Sequence, residues 1–223
     1  MPKQNRVTPS GNIIATPERG TLMGNRGCLH DEHQQLTHLY KSKAWIFCKL
    51  QFKGNRRTIM FPNHYTELFF LDEATALSAG HRPCAQCMRD RYNEFRSYWV
   101  KANADLVDSS CFNAVQLDKI LHSERISSDK QKSTYTEHLN ALPVGSFVLL
   151  EPDASPCLVL EEALLVWTPG GYTQQLKRPK TQQVTVLTPR SIVQMLRAGF
   201  RPHLHDSAAQ LPIAKQLKLT VTV

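Results

Sequence analysis

At 223 residues with 41% hydrophobic content the chain is long enough to bury a packed core, and it holds no apolar run of about eighteen residues that could cross a membrane. Lys plus Arg number 27 against 19 Asp plus Glu, so 27 − 19 = +8, a balance that favours polyanionic partners. The first thirty residues lack the short apolar centre of a secretion signal, so a cytoplasmic, reducing location is expected. Six cysteines there do not suit a disulfide framework, and the close pair Cys84 and Cys87 is better read as metal-binding or redox-active.

In chain order, residues 1–19 are rich in Pro, Asn, Ser and Thr and read as an extended arm with one short strand around Ile13 and Ile14. A zinc-binding module is expected over 20–104. It opens with a glycine-rich loop, Gly20 to Asp31, that contains Cys28. Trp45 to Phe52 and Arg57 to Phe61 flank a polar turn and predict a β-hairpin with Cys48 on its first strand. Tyr65 to Leu71 reads as a third strand. Asp72 is a suitable N-cap for a helix over 73–79, with Gly80 as its stop, and Arg82-Pro83 bars continuation. From Met88 the pattern is helical again, with Tyr92, Phe95 and Trp99 on one face.

A helical segment and linker are expected over 105–142, with a helix near Cys111 to Arg125 and a polar stretch over 127–133. The remainder, 143–223, reads as a small β-rich part. Its strands are expected around Gly145 to Leu150, Cys157 to Leu160, Ala163 to Trp167 and Gln183 to Leu187, and a helix follows near Pro189 to Arg197. The stretch from Leu71 to Pro83 is echoed by Leu187 to Pro202: each is a capped helix stopped by Ala-Gly and followed by an aromatic ring, Arg and Pro. Duplication and convergent stop chemistry both account for the echo. The fold class is α+β: a small antiparallel sheet with helices around a zinc site, then the helical segment and the β-rich part.

Chemistry concentrates at Arg82-Pro83-Cys84-Ala85-Gln86-Cys87. Two thiols separated by two residues can grip one tetrahedral Zn(II) from a single turn, which supplies half a site. Cys28 and Cys48 lie in the same N-terminal unit and complete the expected ligand set Cys28, Cys48, Cys84 and Cys87. Cys111 and Cys157 read as core residues, and His30, His64 and His81 stand as reserve ligands. Between Lys41 and Arg57 there are six cations and no carboxylate. Lys49, Lys53, Arg56 and Arg57, joined by Arg82 beside the thiols, are the expected nucleic-acid contacts, although such a run also suits a solvated basic face.

These residues resemble a known module. Ala44-Trp45-Ile46-Phe47-Cys48, the Tyr65 to Phe70 segment, Glu73-Ala74, Ala76-Leu77, Ala79-Gly80 and Arg82-Pro83-Cys84-Ala85-Gln86-Cys87 look like the N-terminal zinc domain of the bacterial adaptive-response DNA repair protein Ada. The likeness covers roughly residues 44 to 90. It implies a four-cysteine zinc site in which Cys48 matches the cysteine that accepts a methyl group from DNA methylphosphotriesters, a single-use methyltransferase reaction, and in which Cys84 and Cys87 match the final ligand pair. The family's second cysteine falls at Phe52 here. The helix-turn-helix reader and the alkylguanine module of full-length relatives have no counterpart in the sequence, so the resemblance implies one module and a DNA link.

Other readings compete. A closed four-ligand zinc would be a structural staple in a binding module without a reaction of its own. Asp118, His122 and Arg125, at i, i+4 and i+7, share a helical face that suits phosphodiester handling or a surface salt-bridge row. His30-Asp31-Glu32-His33 suggests a metal nuclease, and His203 with His205 a second metal site, though neither pattern has further ligands. Trp167 and Tyr172 flank a Pro-Gly-Gly turn and could stack on a base or be buried.

Overall fold

The computed structural model describes residues 1–54, 58–107, 112–150 and 155–211. Among these described residues two six-stranded sheets and four α-helices give the expected α+β class. The first sheet is built from β1 (Gln4–Val7), β2 (Ile13–Ala15), β3 (Leu22–Asn25), β4 (Ile46–Lys49), β5 (Leu68–Phe70) and β6 (Arg82–Pro83), in the order β2-β1-β5-β3-β4-β6. Its centre, β5-β3-β4, is antiparallel, whereas β1 joins β5 and β6 joins β4 in parallel. Residues 1–19 thus supply two strands of the sheet.

Period-two alternation orients this sheet. Phe47, Leu68 and Phe70 point into the core, while Met23, Ile46 and Phe69 point to the other face and stay half-buried. Gly24 sits where a Cβ would lie 2.2 Å from the Phe70 ring, so β3 carries a glycine at its closest approach to β5. The hairpin expected between Trp45 and Phe61 does not form. Lys53 and Met60 adopt positive φ (54° and 56°), and the Met60 N–H is taken by the Glu67 carboxylate at 2.7 Å instead of by a strand ladder. The antiparallel partner of β4 is β3, inside the segment expected to be a loop, where four residues with a central glycine left too short a pattern.

Helix α1 (Glu73–Ser78) starts as expected at Asp72, whose carboxylate accepts from the Thr75 N–H at 2.8 Å, and stops at Gly80, with φ +83°. Helix α2 (Arg89–Ala102) buries Tyr92, Phe95 and Trp99. Helix α3 (Ala114–Arg125) begins at an Asn113–Gln116 capping box; Cys111, where its start was expected, lies outside the described residues.

The second sheet is antiparallel throughout. It comprises β7 (Tyr135–His138), β8 (Phe147–Leu150), β9 (Ser155–Val159), β10 (Ala163–Thr168), β11 (Gly171–Lys177) and β12 (Gln183–Val186), ordered β11-β10-β9-β8-β12-β7. Both edge strands, β7 and β11, are polar and gave no strand signal in the sequence. Helix α4 (Arg190–Arg197) joins the halves: Ile192, Met195 and Leu196 enter the core that holds Phe95 and Trp99, while Val193 packs with the second sheet. Trp167 and Tyr172 are buried and bind α1, donating to the Thr75 hydroxyl at 3.1 Å and to Asp72 at 2.7 Å, so neither is a base-stacking ring. The echoed segments end alike. His81 N–H returns to Ala76 O at 2.9 Å and Phe200 N–H to Met195 O at 3.3 Å, each after a glycine of positive φ.

Candidate metal centre

Three cysteines meet at one end of the first sheet. The sulfurs of Cys48, Cys84 and Cys87 all lie within 4.8 Å of one another. Zn–S bonds of about 2.3 Å in a tetrahedron require sulfurs ~3.8 Å apart, so this donor set fits one zinc-sized ion with a small contraction. Cys48 is buried near the end of β4. Cys84 and Cys87 come from the turn between β6 and α2.

The turn is held by backbone. Arg82 N–H donates to Trp45 O at 3.1 Å and Cys84 N–H to Phe47 O at 2.8 Å, which lays the turn beside β4. Met88 N–H returns to Cys84 O at 3.1 Å and closes it. The Gln86 N–H points at the Cys84 sulfur (3.4 Å), the Cys87 N–H bonds the same sulfur, and the Lys49 N–H bonds the Cys87 sulfur. Amides aimed at sulfur favour thiolates, the form that binds metal. A hydrogen bond from Cys48 lowers Cys84 to about 5, that same bond together with burial pushes Cys48 up, and burial raises Cys87.

Cys28 is not in this cluster. The β3–β4 register pairs Met23 with Cys48 and Asn25 with Ile46, so the chain leaves β3 toward Cys28 at the end of β4 remote from Cys48. The Cys28 thiol points instead at the His30 carbonyl, 3.6 Å away. The reserve histidines are engaged elsewhere: His30 bonds Thr66 at 2.6 Å, His81 accepts from Arg26 at 3.1 Å, and His64 bonds Pro62 O at 3.0 Å. Among the described residues the cluster therefore offers three protein ligands.

All three thiols line a cavity of about 770 Å³ that also holds Lys49, Phe52 and Lys53. Phe52, four residues after Cys48, brings an apolar ring to this space and no ligand atom. Lys49 and Lys53 are exposed at its edge, whereas Arg56 and Arg57 lie outside the described residues.

Arg82, expected as a phosphate contact, is turned inward. It is 5% exposed and forms a two-point ion pair with Asp118, 2.8 Å at each contact. The same pair takes Asp118 out of the alternative Asp118–His122–Arg125 site. Asp118 faces Arg82, and Arg125 is buried with its guanidinium on the Gly80 and Lys43 carbonyls, 2.8 and 2.7 Å away. His122 accepts from Arg125 at 3.1 Å, and burial followed by the Arg125 charge lowers it to about 4. This face is a clamp between α3 and the turn. In the 30–33 stretch Asp31 accepts from the His33 and Gln35 N–H groups at 2.9 Å each, which makes it a turn cap. His203 and His205 anchor by backbone N–H to Glu73 and Asp72 (2.9 and 3.1 Å), and no metal-ligand group forms there among the described residues.

No family model, curated protein or solved structure matches the chain. Among the described residues no helix is long and apolar enough to cross a membrane.

Proposed function

We propose that the chain is a zinc-thiolate protein that acts on DNA, with Cys48 as a methyl acceptor. The observation that carries this reading is the placement of Cys48, Cys84 and Cys87 on the wall of one cavity edged by Lys49 and Lys53. Three thiolates and Zn(II) sum to 2 − 3 = −1, and a site with three protein ligands leaves its fourth position for chemistry. When bound, the metal would keep the sulfurs deprotonated at neutral pH. The likeness to the Ada zinc domain assigns the acceptor role to Cys48, and the exposed Lys49 and Lys53 ammonium groups suit DNA phosphates.

The step balances simply. The Cys48 sulfur attacks the methyl carbon of a methylphosphotriester, an S–C bond forms, the C–O bond breaks, and its electron pair stays on the phosphate oxygen as a diester anion. The Cys48 thioether has no means of regeneration within the chain, so each molecule reacts once.

A second reading has its own support. Cys48 and the Cys84–Cys87 turn belong to segments paired in parallel at the sheet edge, Ile46 with Arg82 and Phe47 with Pro83, so a metal there would also cross-link that edge. Treating zinc-loaded protein with a methylphosphotriester duplex and weighing it separates the two. A gain of one methyl group mapped to Cys48 supports transfer. An unchanged mass with zinc retained leaves the staple.

A further inference from the structure

Three sulfurs meet, and among the described residues no fourth Cys, His, Asp or Glu atom joins them. Around Cys48 the sheet is apolar. Period two puts its side chain on the face of Ile46, and the β3–β4 register sets Met23 directly across from it, with Phe69 paired beyond Met23. Met23, Ile46 and Phe69 line the same cavity as the three thiols. Glu67, the carboxylate of that wall, is buried, spends its Oε2 on the Met60 N–H at 2.7 Å and is not part of the thiol group.

The donor count and the charge favour a particular kind of ion. A tetrahedral ion on three sulfurs must take its fourth ligand from outside the chain, whereas a three-coordinate ion needs none. Three thiolates cancel a trivalent ion, 3 − 3 = 0, and a neutral centre beside Met23, Ile46 and Phe69 avoids the cost of placing net charge against apolar side chains. The sulfurs are also gathered in advance. Met88 N–H on Cys84 O at 3.1 Å closes the turn that carries Cys84 and Cys87, and the parallel pairing of β4 with β6 brings Cys48 to it.

We infer that Cys48, Cys84 and Cys87 form a binding site for trivalent arsenic, taken up as arsenite and held as a three-sulfur pyramid. Thiolates are the soft ligands of proteins and select ions that prefer sulfur to oxygen. The exchange balances without a redox partner. Arsenous acid, As(OH)3, meets three thiols; three As–S bonds form, three As–O bonds break, and each hydroxyl leaves as water with a thiol proton, so arsenic stays trivalent. Its lone pair takes the fourth corner, and no further donor is required. This inference goes beyond the methyl-acceptor reading and needs neither zinc nor DNA.

The test titrates sodium arsenite into the metal-free full chain, kept reduced with a phosphine, and reads native mass together with the sulfur-to-arsenic absorption in the near ultraviolet. The wild type is expected to gain one arsenic and lose three hydrogens, one from each thiol. Cys48→Ser should bind arsenite more weakly by over about 100-fold, the upper end of what losing even an outer partner costs a metal site. Cys28→Ser should bind as the wild type does, because Cys28 lies outside the cluster. No adduct, an adduct that keeps a hydroxyl on arsenic and so uses only two thiols, or equal affinity in Cys48→Ser would overturn the inference. Zinc uptake and methyl transfer are measured on separate samples. Methylated Cys48 without a three-sulfur arsenic adduct leaves the acceptor reading and removes the arsenic site, and the adduct in a chain that takes no methyl group does the reverse. The wild-type and Cys28→Ser masses decide the matter even if Cys48→Ser does not fold.

Discussion

Met23 opposite Cys48 is the residue-scale fact that decides which cysteines can meet. Spacing made Cys84 and Cys87 legible, because two residues between thiols is a local property of one turn. Cys28 is a long-range question. Its distance from Cys48 depends on which strand β4 pairs with, and no periodicity carried that information. Buried histidines add a pH dependence at the same scale. His81 is held well below 6.5 by burial and by the Arg26, Arg125 and Lys132 charges, and His122 is lowered to about 4. For a base with a depressed folded pKa the unfolded chain binds the extra proton, so stability is complete above pH 6.5 and falls as the pH drops below it. The urea midpoint should decline between pH 6.5 and 4, and His122→Gln should flatten part of that decline. An unchanged slope in the variant would remove His122 from the account.

Arg82 and Asp118 matter most among the elements. They tie β6, and with it the cysteine turn, to α3 through a buried two-point ion pair. Removing one member of such a pair leaves a buried charge alone and costs roughly 3–5 kcal/mol. Asp118→Ala should therefore lower unfolding stability by about that amount and weaken metal affinity as well, because Cys84 follows Arg82 by two residues. Denaturant titration with and without zinc checks both effects. The sequence showed Arg82 beside the thiols and Asp118 on a helical face, each with a functional reading. Their meeting across 36 residues was not visible, and it turned a phosphate contact and an acid/base group into one clamp. Helix caps were far more legible: Asp72, Gly80 and Gly199 all act within a few residues of themselves.

On the scale of the whole molecule, α4 makes the two sheets one cooperative structure. Leu196 is fully buried in the core shared with α2, and Val193 on the same helix packs on the second sheet. Leu196→Ala should cost about 2–5 kcal/mol and move both halves together. Coincident midpoints for Trp99 and Trp167 reporters, read in single-tryptophan variants, would show this, and separate midpoints would refute it. The α+β class and most inner strands were legible from apolar runs. The polar edge strands β7 and β11 were not, since an edge strand needs no apolar face to be paired. The joining of the sheets by Trp167 and Tyr172 was hidden as well, because a turn flanked by aromatics reads alike whether its rings face solvent or a helix cap.

The proposed centre has three cysteine ligands and a fourth position open to the cavity. X-ray absorption at the zinc edge measures this directly on the zinc-loaded full chain. The expected first shell is three sulfurs and one oxygen or nitrogen, unchanged in Cys28→Ser. Four sulfurs in the wild type, falling to three in Cys28→Ser, would contradict it.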